Sequence, residues 1–380
     1  MPDARTVLRR QVARLRPRAA AVTIVAMLAG FGAGLVLAHL VHLRLDTVVL
    51  AVAIGLTLGR TQQTASRRER VLGLVLVPAV AAGSGALGLL LAGGHALLGS
   101  ALFVLALSAT VGVRRWGPLA TKLGTMAVLP LLVLLLVPPS AVEPDGPMWT
   151  AATALLVYLV VSAVQLLALR AGVLSPPAAT RSAPRPKAAT KLPASTRMAA
   201  QLGVALVVAI ALGRLVFPAH WQWVVLTAFI VCSGNRGRAD VLHKGILRVA
   251  GAGVGTVLAT GLFGLFGPGG IGGVLAIFGM LGIGVLLREA SYAYWACCVT
   301  ATMALLLGYL GEDAPGLLFV RLGGILLGGL IGVGASWLVL PIKGGAVTRD
   351  RDTNAARPTD DTEAGRRVVS VVALDREGSH

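Results

Sequence analysis

The chain has 380 residues, 56% of them hydrophobic and 13% charged, with a formal net charge of +18. A mean hydropathy of +0.81, with charged residues far below the quarter or so typical of soluble domains, excludes a soluble globular fold. The basic residues fall between apolar runs instead of forming a stripe, which excludes nucleic acid as a partner.

Apolar segments predict an all-α polytopic membrane protein with about twelve transmembrane helices. Residues 1–18 read as a basic cytoplasmic N-terminus. The run at 19–43 is too long and too basic at its start for a cleaved signal peptide, so it reads as a retained helix. Further spans follow at 46–59, 71–93, 95–113, 119–137 and 148–169, and together they make a first six-helix membrane repeat over 19–170. Residues 171–196 hold Pro176, Pro177, Pro184, Pro186 and Pro193 among basic residues, the composition of a cytoplasmic linker. A second six-helix repeat occupies 197–341, with spans at 198–216, 221–234, 245–266, 270–287, 291–310 and 315–340. The tail, 342–380, reads as disordered and cytoplasmic, with Val368–Leu374 a candidate strand or docking segment.

Six spans return a chain to the side on which it started, so the halves are expected to be parallel repeats about an axis along the membrane normal. Arg70-Val-Leu-Gly73 and Arg248-Val-Ala-Gly251 open the third span of each half. With the N-terminus inside, every Lys and Arg except Arg44, Arg214 and Arg321 falls on the inner side. This bias predicts a multi-pass protein of the cell membrane, the inner membrane of a bacterium, with both termini cytoplasmic.

The pattern Arg-x-x-Gly-x-x-x-Gly occurs at Arg248/Gly251/Gly255 and at Arg321/Gly324/Gly328, and Gly332 continues the second ridge. At 3.6 residues per turn each arginine shares a face with its glycines. Such a face admits a neighbouring helix, which turns the cation toward protein and away from lipid. The neighbour is a helix of the same chain or of a second protomer; sequence leaves both open, and with them a homo-oligomer. Cys232, Cys297 and Cys298 lack metal-ligand spacing, and neither a metal nor any other cofactor is expected.

His220-x-x-Trp223-x-x-x-Thr227, then Arg248-x-x-Gly251-x-x-x-Gly255, the helix from Tyr292 to Thr300, and Arg321 through Gly328 before Pro341 together resemble the fusaric acid resistance (FUSC) family of membrane proteins. That family is related to bacterial aromatic acid exporters and, more distantly, to plant anion channels. The resemblance covers most of the second half and only faintly the first. Ala252 stands where the family usually has Thr, and Gly324-Ile325 where it has Asp-Thr, so an in-helix salt bridge to Arg321 is not expected. The resemblance implies transport, with a substrate path through Arg248, Arg321, Thr227, Thr300, Trp223 and Tyr292.

The chemistry of the residues bears on the same conclusion. An arginine several residues inside a span costs about 2.5–3.5 kcal/mol if it reaches the centre. Arg321 therefore either snorkels outward, pairs with Glu312 or Asp313, or holds a carboxylate in a wet path. Arg248 is either an orientation signal or the inner mouth of that path, with Arg321 at the outer mouth. Arg70 reads as a solvated counterpart, and His39 as a candidate proton-linked group. All sixteen acidic residues lie in loops, tails or span ends, which disfavours cation transport. No phosphate-binding Gly-rich loop and no nucleophile, base and acid set occurs at membrane depth, so an enzyme is not expected. The leading expectation is efflux of small organic anions, aromatic carboxylates among them. A passive anion channel and a non-transporting membrane scaffold are the rivals.

Overall fold

A computed structural model describes residues 16–43, 45–133, 135, 146–174, 193–233, 238–267, 270–309 and 314–340. The Pro-rich part of the linker, the tail and the pair Glu312 and Asp313 lie outside the described residues.

Twelve α-helices and two short 3-10 turns make up the described chain, and no strand occurs among these residues. The first half holds α1 (Pro17–Val41), α2 (Leu45–Thr61), α3 (Arg67–Ala92), α4 (Ala96–Gly112), α5 (Pro118–Val133) and α6 (Gly146–Arg170). The second holds α7 (Ala194–Val216), α8 (Gln222–Cys232), α9 (Arg238–Phe266), α10 (Ile271–Leu287), α11 (Tyr292–Tyr309) and α12 (Ala314–Leu338).

Local sequence sets several of these ends. Pro17 opens α1, where its missing N–H costs nothing. Ser66 and Glu69 form a reciprocal capping box on α3, and Lys122 at the start of α5 reaches the same carboxylate at 2.8 Å. Helix α9 begins at Arg238, seven residues before the apolar run expected from 245. Its first two turns mix Arg238, Asp240, His243 and Lys244 with Ala239, Val241 and Leu242, and a hydropathy criterion misses such an extension.

Eight helices are long and apolar enough to cross a membrane. The other four, α2, α5, α8 and α10, have 17, 16, 11 and 17 residues. At 1.5 Å per residue α8 rises only about 16 Å, roughly half of a hydrocarbon core. The twelve helices expected from sequence are therefore present, and eight of them meet the length of a span. Outward-facing Val36, Leu40, Val75, Leu97, Val257 and Leu330 are all exposed, as a lipid-contacting surface requires.

The two halves pack alike. In the first, α1 touches α2 and α6, α3 touches α4, α5 and α6, α2 touches α6, and α4 touches α5. In the second, the same positions pair: α7 with α8 and α12, α9 with α10, α11 and α12, α8 with α12, and α10 with α11. The seams between halves correspond as well, since α4 meets α7 and α1 meets α10. One apolar core, with Phe103, Leu107, Leu202, Leu206 and Val224, ties the halves together along the α4–α7 seam.

Candidate functional site: a cation-bearing cavity between the halves

The two glycine ridges act within the chain. A Cβ on Gly251 would sit 2.6 Å from the Ala293 carbonyl oxygen, and one on Gly255 would strike the Cys297 carbonyl, so this ridge is filled by α11. On α12, a Cβ on Gly324 would lie 3.0 Å from Trp223 Cβ, one on Gly328 would meet the Val224 carbonyl, and one on Gly332 would lie 2.9 Å from Val231 Cγ1. Helix α8 therefore lies along the glycine face of α12, running in the same direction. Of the two partners sequence left open, the structure places helices of the same chain against these faces.

Close packing on the glycines directs both arginines inward. Arg248 and Arg321 are each only 4% exposed, and both line a cavity of about 320 Å³, a size suited to a small molecule. The walls come from α2, α5, α8, α10, α11 and α12, with Phe31 and Leu35 of α1 and Arg248 of α9. Each of the four short helices contributes. Helices α2 and α8 hold the second position of their halves, and short segments at matching positions of two repeats are a mark of transporter binding sites. Helices α2 and α5 pair with each other in the first half, whereas α8 and α11, which hold the same positions in the second, both face the cavity.

The two walls differ in chemistry. The first half offers aliphatic side chains such as Val48, Val52, Leu56, Leu132 and Val133. The second half supplies both cations, the indoles of Trp223 and Trp295 and the hydroxyls of Thr300 and Thr302. No Asp or Glu among the described residues lines the cavity. The Arg321 guanidinium lies 4.4 Å from the centroid of the Trp223 ring, which offsets part of its desolvation. Arg248 has Tyr292 as its electrostatic neighbour, and its buried Nε has no hydrogen-bond partner among the described residues.

Depth along the bundle follows from the packing register. Gly245 of α9 lies level with Val333 of α12. Counting 1.5 Å per residue from that level puts Arg248 about 4 Å and Arg321 about 18 Å above it. The cations are thus separated by about 13 Å along the helix direction. Arg321 lies well inside the bundle instead of at its outer rim.

Of the other residues singled out by sequence, Trp223 and Thr300 line the cavity with the arginines. Thr227 is buried against Gly328 and does not line it. Tyr292 lies beside Lys244, whose ammonium is 5.8 Å from its ring, and is not a lining residue. Arg70 donates to the Gln62 carbonyl at 3.0 Å while Tyr158 donates to the Arg70 carbonyl at 2.6 Å, an arrangement that fastens α3 to α6 outside the cavity. His39 is exposed at the end of α1. Sequence reasoning passed over Trp295, Thr302 and the aliphatic wall of α2. The stripe Trp295, Val299, Thr302, Leu306, Tyr309 has helical spacing and was the available signal.

With this geometry described, residues 203–335 match the family described as fusaric acid resistance protein-like. The matched segment is similar to that family. It contains both arginines, both glycine ridges, Thr300 and Thr302, so the cationic wall belongs to the FUSC-like segment and the mainly aliphatic wall, with Thr57, to the half that precedes it. No curated protein and no solved structure matches the chain. The FUSC match and the eight long apolar helices make this a multi-pass membrane protein.

Proposed function

We infer that the chain is a transporter that exports small organic anions, aromatic carboxylates among them, through the cavity between its halves. The observation that carries this reading is the pair of buried cations in a largely apolar cavity that no carboxylate of the described residues lines. A guanidinium offers two parallel donors to a carboxylate, and indole and aliphatic walls suit an apolar body attached to it. Burying two arginines in one cavity is costly, and an anion that visits them offsets part of that cost.

The matched packing of the halves and their matched seams support two parallel six-helix repeats about an axis along the membrane normal, with the short helices completing twelve crossings. Charge placement supports cytoplasmic termini. In this orientation Arg248 meets the anion first, on the cytoplasmic side, and Arg321 receives it deeper.

The test is efflux of benzoate from loaded proteoliposomes. Arg321→Ala and Arg248→Ala are each expected to abolish it while the protein still elutes as a folded species. Unchanged flux in both variants refutes the reading. A passive conductance is the second reading, favoured by the absence of a titratable carboxylate from the cavity wall among the described residues, and single-channel currents in a planar bilayer distinguish it from a carrier.

A further inference from the structure

Most hydroxyls in these helices bond to their own helix. Thr256 donates to the Ala252 carbonyl at 2.8 Å, Thr260 to Thr256 at 3.1 Å, Thr61 to Thr57 at 3.0 Å and Ser162 to Tyr158 at 2.7 Å. This is the ordinary fate of a helical Ser or Thr away from water. Thr300 and Thr302 break the pattern, as Thr153 and Thr227 do away from the cavity. Thr300 and Thr302 are 3% and 2% exposed, and neither Oγ1 has a hydrogen-bond partner among the described residues. Both line the cavity. A buried hydroxyl without a partner costs roughly 1–3 kcal/mol, so two on one wall indicate a ligand or water that satisfies them.

Their depth identifies the ligand atom they would meet. Gly251 and Gly255 set α11 against α9, with Ala293 to Cys297 opposite the glycines. Counting up α11 from there brings Thr300 and Thr302 within about one helical turn of the level of Arg321. Thr302 sits in the middle of the cavity-facing stripe of α11, and Trp223 lies against Arg321 across the same space.

We propose that Thr302, assisted by Thr300, donates to the same anionic group that Arg321 attracts, so that the three residues form the deep binding station of the cavity and Thr302 sets its preference for oxyanions. The inference rests on the anion reading above and deepens it. A guanidinium alone attracts any anion, whereas a hydroxyl added at the same level rewards an acceptor oxygen. A carboxylate satisfies both requirements, and a halide of equal charge satisfies the second poorly. Arg248 lies about 13 Å away along the helix direction, beside a Tyr292 phenol that does not line the cavity, and is left as the less selective entry.

The experiment measures benzoate binding to the purified full chain by quenching of its intrinsic tryptophan fluorescence, with efflux from proteoliposomes measured in parallel. Thr302→Val keeps the shape and removes the donor, and is expected to raise the benzoate Kd by about 10- to 150-fold, the range for one hydrogen bond to a charged group. Thr302→Ser is expected to restore the Kd to within about twofold, because the donor returns. Thr256→Val serves as a control that removes a helix-bonded hydroxyl away from the cavity, and it should leave Kd unchanged. Chloride competition should strengthen in Thr302→Val relative to the parent chain. A Kd unchanged in Thr302→Val means that the hydroxyls hold only water, and it overturns the proposal. Loss of affinity that Thr302→Ser fails to rescue also overturns it, since packing and not donation would then be at stake. A chain that binds benzoate in a Thr302-dependent way but moves none sinks the transport reading alone. A chain that binds no benzoate overturns both.

Discussion

Gly328 and Gly329 are adjacent on α12 and face different surroundings, so alanine at each tests the packing register. At Gly328 the new Cβ would collide with the Val224 carbonyl and lie 2.9 Å from Thr227 Cβ; at Gly329 nothing lies within 4 Å. Backbone atoms of α8 cannot rotate away, so Gly328→Ala must push α8 and α12 apart or distort one of them. Overpacking of this kind costs about 1–3 kcal/mol. Gly329→Ala meets no such obstacle and gains up to about 1 kcal/mol of helix propensity. The pair should differ by about 1–4 kcal/mol, the sum of these two effects. Thermal unfolding in detergent, followed by the loss of the monodisperse peak in size exclusion, should show Gly328→Ala melting several degrees below the parent and Gly329→Ala at or above it. The prediction extends to function, because Arg321 is carried on the same ridge. Gly328→Ala should weaken benzoate binding even at temperatures where it is folded. Equal melting temperatures for the two variants would refute the register of α12 on α8, and with it the depth assigned to Arg321.

Glu289→Gln breaks the ion pair with Arg60, whose N···O distance is 3.0 Å. Both side chains are nearly half exposed (47% and 44%), so the pair is screened, and the melting temperature should shift by no more than the equivalent of about 0.5 kcal/mol. A drop of several degrees would show that this contact between α2 and the loop after α10 bears on stability. Topology is checked with a membrane-impermeant thiol reagent on intact cells. Cysteines introduced at Ser182 in the linker and at Thr353 in the tail should react only after the membrane is permeabilised, because charge placement puts both segments inside. Labelling of either in intact cells would invert the orientation and reverse the order in which an anion meets the two arginines.

Helix number and most helix positions were legible because long apolar runs bounded by basic or Pro/Gly-rich segments leave few alternatives. The start of α9 was not, since Arg238, Asp240, His243 and Lys244 interrupt the apolar run without breaking the helix. The inward direction of Arg248 and Arg321 was also legible, because a glycine three and seven residues on marks the face that a partner covers. Which helices cover those faces depends on contacts between segments far apart in sequence, and no periodicity encodes them. Thr302 was missed for a related reason. Whether a threonine hydroxyl turns to its own carbonyl or to a cavity depends on the space beside it, and only the assembled bundle defines that space. Arg70 has the local sequence of Arg248 and a different fate. It lies next to Gln62 and Tyr158, which hold that end of α3 against α6, whereas the corresponding segment of α9 borders the cavity.

That contrast explains how two halves with the same packing can divide one task. A cavity between matched halves starts with equivalent walls, and two cationic walls would repel each other across a narrow apolar gap. Placing both arginines on the FUSC wall and aliphatic side chains on the other avoids this repulsion. It also gives an amphipathic anion a single way to lie, with its charged group toward α11 and α12 and its apolar body toward α2 and α5. A single orientation fixes which oxygen meets Thr302 and keeps the body in contact with the first half at every depth. Movement between the level of Arg248 and that of Arg321 then requires no rotation of the solute, only a slide along an apolar surface. Swapping polarity between the walls, with Val52→Arg added to Arg321→Ala, should therefore fail to restore benzoate efflux although the cavity charge is conserved. Recovery of efflux in the double variant would show that net charge alone, and not its placement beside Trp223 and Thr302, governs the path.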